Sequence, residues 1–177
     1  MNKDKRKIHI IVQARLESIR LPNKVLKIIN NKTVLKTLFD RLKCSKLVDK
    51  IIFAIPKNTK NSELKKYIIK NKFKNLYEGS SEDVLSRYYG AAQKFSSDII
   101  IRITADCPLI DSKILDQMIL KFLENKLNFL SNNLKPTFPD GYDIEIFDFD
   151  SLKKTFKYAK QKQDREHVTL YIKRNKD

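Results

Sequence analysis

The segment I-H-I-I-V at residues 8–12 decides the fold class, because a β-branched and almost unbroken apolar run is typical of a strand buried on both faces. Two runs of the same kind follow, K-I-I-F-A-I at 50–55 and D-I-I-I-R-I at 98–103. Weaker strand patterns cover residues 128–131 and 142–147. Amphipathic helical patterns cover residues 33–44, 63–72, 81–95, 112–125, 151–161 and 165–174. The alternation of strand and helix patterns predicts an α/β protein.

The composition favours one globular domain, residues 1–177, with a hydrophobic core made from the 41% of residues that are hydrophobic. No apolar run approaches the roughly 18 uncharged residues of a membrane span. The apolar run after the basic N-terminus ends at Gln13 and Arg15, which is too short for a secretion signal. Cys44 and Cys107 lack C-x-x-C spacing, which indicates reduced thiols. We therefore expect a cytoplasmic protein that does not contact a membrane.

The net charge of +16 allows a different interpretation, the binding of nucleic acid. However, 29 of the 37 basic residues are lysines, and the chain is also rich in Asn and Ile, the residues that A/T-rich codons specify. A nucleic-acid module more often shows arginines interleaved with aromatic residues on a known motif. We interpret the charge as a lysine-coated surface and expect no specific nucleic-acid partner. Nucleic-acid binding that weakens steeply with salt is the rival hypothesis.

The loop after the first strand is the first candidate site, because ligands of open parallel sheets bind beyond the carboxyl ends of the strands. This loop carries three cations, Arg15, Arg20 and Lys24, and is stiffened by Leu21-Pro22. Arginine side chains bind phosphate oxygens through two parallel hydrogen bonds. The pattern predicts a polyphosphate ligand, with an exposed basic loop as the alternative. It is not a Walker P-loop, because G-x-x-x-x-G-K-[ST] is absent.

Acidic residues follow the later strands. Asp106 comes soon after the strand at 98–103 and is a candidate Mg²⁺ ligand, or else a turn or helix-capping aspartate. Strand alternation places Asp143 and Glu145 on one face, which fits a metal, a polyhydroxyl substrate or a solvent-facing edge strand. His9, inside a strand, is predicted to be structural. The predicted helix N-caps are Ser81, Asp111 or Ser112, and Asp164.

Five segments, in this order along the chain, resemble the cytidylyltransferase (CMP-sugar synthetase) family. They read I-I-V-Q-A-R-L-E-S-I-R-L-P-N-K-V-L at 10–26, E-G-S-S-E-D-V-L-S-R-Y-Y at 78–89, R-I-T-A-D-C-P-L-I-D at 102–111, P-D-G-Y-D-I-E-I-F at 139–147 and D-R-E-H-V-T-L-Y-I at 164–172. The first and third segments are the specific ones. The resemblance is to the branch of spore-coat polysaccharide biosynthesis, whose relatives activate acylneuraminate and 3-deoxy-manno-octulosonate.

The resemblance implies a three-layer, Rossmann-like α/β fold of the nucleotide-diphospho-sugar transferase type, with a mixed and mainly parallel sheet. Arg15, Arg20 and Lys24 match the cations that hold the triphosphate, and Asp106 matches the Mg²⁺-binding aspartate. The other implied nucleotide contacts are Gln13, Ala14, Ser80, Asp83 and Arg102. The residues implied to face the acceptor sugar are Asp140, Asp143, Glu145, Arg165 and His167.

The implied function is Mg²⁺-dependent transfer of CMP from CTP to a sugar or sugar acid, with release of pyrophosphate, for surface polysaccharide biosynthesis. A nucleotidyltransferase for another nucleotide and a catalytically incomplete nucleotide-binding module are the alternatives. The family implies a homodimer and continues for several elements beyond this chain, which suggests a C-terminally incomplete domain. Glu17 and Asn23 depart from the family, since both stand at frequent glycine positions. Glu17 is expected to weaken triphosphate binding unless its carboxylate points away.

Overall fold

The computed structural model describes residues 5–135 and 138–175, and eight strands form within these ranges. The strands are β1 (Ile8–Gln13), β2 (Ile28–Ile29), β3 (Lys32–Thr33), β4 (Lys50–Pro56), β5 (Asn75–Gly79), β6 (Ile99–Thr104), β7 (Phe129–Ser131) and β8 (Glu145–Asp148). The three strongest apolar runs of the sequence are β1, β4 and β6, as predicted.

Seven α-helices lie in the same described ranges. They are α1 (Val34–Leu42), α2 (Ser62–Lys70), α3 (Val84–Lys94), α4 (Ser112–Glu124), α5 (Phe149–Tyr158), α6 (Lys162–His167) and α7 (Leu170–Arg174), with 3-10 turns at Lys24–Leu26 and Thr59–Asn61. Side-chain oxygens of Thr33, Asp83, Asp111 and Asp148 accept hydrogen bonds from the first-turn amides of α1, α3, α4 and α5. These caps satisfy amide groups that a helix leaves unpaired.

Six strands form one mixed sheet in the order β5-β4-β1-β6-β8-β7, while β2 and β3 form a separate antiparallel pair. Strands β1, β4, β5 and β6 run parallel, and β8 runs antiparallel to both β6 and β7. The chain moves outward from β1 to β4 and β5, then returns past β1 to β6. The strand order therefore reverses between β1 and β6, and ligands of open α/β sheets bind at such a reversal.

Helices cover both faces of the sheet, so the fold has three layers. Alternate residues of β1 point to opposite faces: Ile10 and Val12 belong to the core cluster shared with α1, α2 and α4. Ile11 belongs to the second cluster, which is shared with α3 and α5. The hydroxyl of Tyr88 in α3 donates to the carbonyl of Ile11 at 3.1 Å, which fixes α3 on this second face. The predicted three-layer, mainly parallel α/β fold is confirmed.

Two elements do not follow from the apolar pattern. No apolar run marks strand β5, because N-L-Y-E-G carries few apolar residues and forms an edge of the sheet with every residue only half-buried. The β2–β3 hairpin is too short to produce a period, and its turn uses the positive φ angles of Asn30 and Asn31.

Four predicted boundaries were wrong. Strand β8 begins at Glu145, so Asp143 precedes the strand and does not share a strand face with it. Asp83, and not Ser81, caps α3. The helix predicted at 165–174 is two helices, α6 and α7, separated at Val168, whose φ of 57° interrupts the helix. Asp164 is not a cap; it is buried within α6 and pairs with Arg174.

His9 has the structural role predicted for it. Its side chain is buried, and its Nδ1 lies 2.7 Å from the hydroxyl oxygen of Ser97. Burial lowers the pKa of His9, so the imidazole is neutral at neutral pH. Cys44 and Cys107 are both free thiols, in agreement with the expectation of reduced cysteines.

Gly90 in α3 is required by the close approach of Tyr77 from β5. A Cβ at residue 90 would lie 2.6 Å from the ring carbon Cζ of Tyr77, nearer than the two atoms can pack. Helix propensity alone favours Gly90→Ala by about 1 kcal/mol. Overpacking of this kind costs about 1–3 kcal/mol.

We therefore expect Gly90→Ala to lower the free energy of unfolding by about 1 kcal/mol, measured by urea denaturation. In a Tyr77→Ala background the same substitution meets no ring and should raise stability instead. Stabilisation of the protein by Gly90→Ala alone would contradict this packing.

Candidate functional site

The candidate site begins where β1 and β6 end side by side. Gln13, the last residue of β1, is the register partner of Thr104, the last residue of β6. The amide of Ala105 continues the pairing by donating to the carbonyl of Gln13 at 3.0 Å. The loop that follows β1 and the segment that contains Asp106 therefore leave the sheet from the same point, at the reversal of strand order.

The cationic loop, residues 14–27, is closed at its base by hydrogen bonds around Leu16. The amide of Leu16 donates to Oδ1 of Asn61 at 2.9 Å, and its carbonyl accepts from the amides of Ser18 (2.9 Å) and Asn23 (3.1 Å). Asn23 adopts a φ of 57°, a left-handed conformation that asparagine tolerates, as the sequence suggests. This closure fixes the base of the loop.

Arg15 and Arg20 project from this loop with exposed side chains. Among the described residues, neither side chain takes part in a hydrogen bond or a salt bridge that would occupy its guanidinium. Ala14 and Leu16 on either side of Arg15 are buried. The two arginines are thus held on a fixed base and are available to an anionic ligand.

Lys24 and Asp106 form a salt bridge across the site. The Asp106 side chain remains 39% exposed. Burial raises the pKa of Asp106, but hydrogen bonds from Lys24 and Thr104 outweigh burial and lower the pKa, so the carboxylate is ionised at neutral pH. The pair shows that the cationic loop and the aspartate after β6 meet in space, as the sequence argument requires.

A pocket of about 120 Å³ adjoins the strand ends on the α3 side. Its lining residues are Gln13, Ala14, Arg15, Val84, Arg87, Arg102, Glu166 and His167. Arg87 is only 2% exposed, and one of its terminal nitrogens donates to the carbonyl of Ser80. Burial lowers the pKa of Arg87, and the neighbouring charge of Arg15 lowers it as well. No salt bridge to a carboxylate compensates this buried cation among residues 5–135 and 138–175.

Three residues that line this pocket each keep one buried side-chain atom without a hydrogen-bond partner in the described part of the chain. These atoms are Oε1 of Gln13, Nε of Arg87 and Nε of Arg102. Unpaired buried polar atoms are rare and costly in folded proteins. The polar side chains around this pocket therefore make it a candidate site for a polar ligand.

Arg102 is held by Glu145, its register partner on β8. Glu145 is 1% exposed and accepts from Arg102 (2.7 Å), from Lys173 (2.5 Å) and from the hydroxyl of Thr169 (3.0 Å). Burial raises the pKa of Glu145, but Arg102 and Lys173 outweigh it and keep the pKa low. The carboxylate is enclosed and fully occupied, so this geometry favours orientation of Arg102 over the direct sugar contact that the sequence predicted.

Asp83 and Arg165 pair with each other and do not face a ligand. Asp83 forms a salt bridge with Arg165 while its other oxygen caps α3 at the amide of Ser86 (2.8 Å). Arg165 also stacks over the ring of Phe156, with 4.8 Å from its guanidinium carbon to the ring centroid. This pair attaches α6 to the start of α3, and with it places the neighbouring residues of α6 against the pocket.

The remaining predicted residues have exposed side chains. Ser80 is exposed, and its hydroxyl accepts from the amide of Asp83 at 3.0 Å. His167 lines the pocket. Asp143 is exposed and lies close enough for its charge to act on Arg102 and Cys107. Asp140 is exposed on the loop before β8.

Arg87 ends the segment 80–87 that the family resemblance implies along the nucleotide pocket, although the residues alone did not single it out. It lies on the face of α3 that also carries Val84, Tyr88 and Ala91, all of them buried. An arginine at a position of the apolar helix face was the available signal, because a buried cation needs a compensating group.

Within the described ranges, no helix is long and apolar enough to cross a membrane, and no three His, Cys, Asp or Glu side chains form a metal-binding cluster. Asp106 is a partly exposed carboxylate that pairs with the cation Lys24. This arrangement suits a phosphorylated ligand that brings its own oxygen atoms to a metal ion.

An α/β sheet with cations, a carboxylate and an arginine-lined pocket at its switch point has the architecture of a nucleotide-binding enzyme. Comparison with known families agrees: the cytidylyltransferase family matches residues 9–177. The chain belongs to the cytidylyltransferase family, and the resemblance recognised in its sequence motifs is confirmed.

Individual proteins support this assignment. The chain is 38% identical to an uncharacterised protein of Methanocaldococcus jannaschii, over 96% of this chain and 68% of that protein. It is 30% identical to the spore coat polysaccharide biosynthesis protein SpsF of Bacillus subtilis, over 93% of this chain and 69% of that protein. A solved cytidylyltransferase from Leptospira borgpetersenii serovar Hardjo-bovis is 37% identical and superimposes with a TM-score of 0.91, over 97% of this chain and 72% of that one.

Proposed function

We propose that this protein transfers CMP from CTP to a sugar or a sugar acid, with release of pyrophosphate, for the biosynthesis of a surface polysaccharide. Membership of the cytidylyltransferase family supports the reaction, and the similarity to a spore coat polysaccharide biosynthesis protein supports the pathway class. The choice of CTP as the nucleotide rests on Gln13, Arg87 and Arg102, which line one pocket and each keep a polar atom without a protein partner.

The pocket is complementary to the hydrogen-bonding edge of cytosine. The exocyclic amino group of cytosine donates, and its ring N3 and O2 accept, so the base presents one donor and two acceptors. In this proposal the side-chain amide of Gln13 supplies the acceptor, and the guanidinium groups of Arg87 and Arg102 supply the donors. Uracil presents a carbonyl in place of the amino group and would face Oε1 of Gln13 with a second acceptor. We therefore place the base of the nucleotide in this pocket.

The triphosphate would lie over the cationic loop next to the base pocket. Arg15 belongs to both regions, since it lines the pocket and projects from the loop. Arg20 and Lys24 add two further cations, and Arg20 is fully available. A hydroxyl group of the acceptor attacks the α-phosphorus in line, and pyrophosphate leaves toward the cationic loop. The protein contributes positioning and charge neutralisation, with no covalent intermediate.

Asp106 fits the role of a Mg²⁺ ligand. It is an ionised, partly exposed carboxylate at the end of β6, and Mg²⁺ is commonly bound by one or two carboxylates together with phosphate oxygens. The ion, when bound, neutralises phosphate charge and polarises the reacting phosphoryl group. Lys24 pairs with Asp106 in this structure. When a triphosphate is bound, its oxygens can attract Lys24 in place of the Asp106 carboxylate.

We propose that exposed polar residues form the acceptor side of the site. Asp140 and Asp143 on the loop before β8 offer carboxylates to the hydroxyl groups of a sugar, and His167 offers a ring nitrogen. Arg165 acts indirectly, because its ion pair with Asp83 and its stacking on Phe156 hold α6 in place.

Replacement of a phosphate-binding cation or of the metal ligand should abolish most turnover. We expect Arg20→Ala and Asp106→Ala to reduce pyrophosphate release from CTP by about 10²-fold or more, because each removes a charge positioned at the reacting phosphates. The measurement is a coupled pyrophosphate assay with Mg²⁺ and a panel of sugars and sugar acids. The matched control is Arg6→Ala, since Arg6 is exposed and precedes β1 at the end of the strand opposite to the candidate site. Equal turnover by Arg20→Ala and Arg6→Ala would contradict the proposed phosphate site.

The pocket should also determine which base is accepted. We expect Gln13→Leu to reduce the preference for CTP over UTP by about tenfold or more, because the amino group of cytosine loses its acceptor in a buried site. Dissociation constants of both nucleotides, measured by calorimetry, give the ratio. Gln93→Leu, an exposed residue of α3, is the control. An unchanged ratio in Gln13→Leu would show that the base is read elsewhere.

A further inference from the structure

Glu17 is an acidic residue in a loop whose other charges are cationic. It lies between Arg15 and Arg20, where a negative charge should repel a triphosphate. By charge alone, removal of Glu17 would strengthen nucleotide binding. The contacts of its carboxylate indicate a different role.

Both oxygens of Glu17 are occupied by amide donors from the turn that precedes α2. Oε1 accepts from Nδ2 of Asn58 at 3.1 Å, and Oε2 accepts from Nδ2 of Asn61 at 2.7 Å. Asn61 is itself only 1% exposed. The carboxylate is therefore directed to this turn and held there by hydrogen bonds to a charged acceptor, which are stronger than neutral ones.

The same two asparagines contact the segments on either side of the candidate site. Oδ1 of Asn61 accepts from the amide of Leu16 at 2.9 Å, which is the bond that fixes the base of the cationic loop. Nδ2 of Asn58 donates to the hydroxyl of Ser81 at 2.9 Å, in the segment that leads into α3 and Arg87. Glu17 thus orients two amide side chains that join the loop to the pocket wall.

Glu17 also lies close enough to affect the charges of the pocket. Burial and the neighbouring Arg15 lower the pKa of Arg87, whereas Asp83 and Glu17 raise it. This charge effect is smaller than those of burial, Tyr88, Arg15 and Asp83, so the hydrogen bonds to Asn58 and Asn61 define the role of Glu17.

We propose that Glu17 is a positioning residue that strengthens nucleotide binding in spite of its charge. It does so through Asn61 and Asn58, which keep the cationic loop and the start of α3 in the arrangement that receives the nucleotide. The inference rests on the proposed function for its ligand, and on this chain's own contacts for its geometry.

The sign of one measurement separates positioning from charge repulsion. We expect Glu17→Ala to raise the dissociation constant of CTP about tenfold, and the KM for CTP in parallel, with kcat changed by less than about twofold. Glu124→Ala, at the far end of α4, removes the same charge from another part of the fold and should leave both constants unchanged. Unchanged or tighter CTP binding by Glu17→Ala would overturn the proposal.

A reciprocal exchange of donor and acceptor tests the same contacts by rescue. In the double variant Glu17→Gln, Asn58→Asp, the new amide of residue 17 donates to the new carboxylate of residue 58, and the hydroxyl of Ser81 can donate to the same carboxylate. We expect this double variant to recover most of the CTP affinity that Glu17→Gln alone loses. Failure of the double variant to bind CTP better than Glu17→Gln would contradict the positioning role.

A readout without nucleotide keeps this inference distinct from the proposed function. Hydrogen exchange of the Leu16 amide should be about tenfold faster in Glu17→Ala than in the unmodified chain and in Glu124→Ala, because Asn61 loses its orientation. Unchanged exchange would overturn the positioning role whatever the ligand is. Absence of CTP binding by the unmodified chain, with the exchange difference present, would instead overturn the proposed function alone.

Discussion

The parallel pairing of β1 with β6 is the constraint on which the candidate site depends. It places Gln13 beside Thr104, so the loop with Arg15, Arg20 and Lys24 and the segment with Asp106 start from neighbouring strand ends. Buried isoleucines at the centre of both strands hold this pairing, with one hydrophobic cluster on each face of the sheet. A shift of one residue in this register would exchange the two faces and separate the groups that the site requires.

The second requirement of the site is compensation for its buried cationic side chains. Arg87 and Arg102 are taken out of water beside β1, and each keeps a nitrogen without a protein partner. The carboxylate of Glu145 balances the charge of Arg102. Asp83 and Glu17 raise the pKa of Arg87 through their negative charge. The free protein therefore keeps cationic groups fixed beside the pocket, which is the form of preorganisation that binding sites use. The proposed nucleotide supplies both the base edge and the negative charge that these groups lack.

The strands that determine the site were predictable, because buried parallel strands produce continuous β-branched runs such as those at 8–12 and 98–103. The meeting of Lys24 with Asp106 follows from those strands and the rule for the switch point. The roles of Glu145 and Arg165 were not predictable, since their partners Lys173 and Asp83 are distant in sequence and leave no periodic signal. The division of the last helix at Val168 was equally hidden, because a valine with positive φ contradicts local preference.

The most direct test of the account is a crystal structure of this chain with Mg²⁺ and a non-hydrolysable CTP analogue. The account predicts phosphate oxygens within hydrogen-bond distance of Arg15 and Arg20, the metal on Asp106, and the cytosine amino group on Oε1 of Gln13. An analogue bound along the lysine-coated surface, with the pocket between Gln13 and Arg87 left without the base, would contradict it.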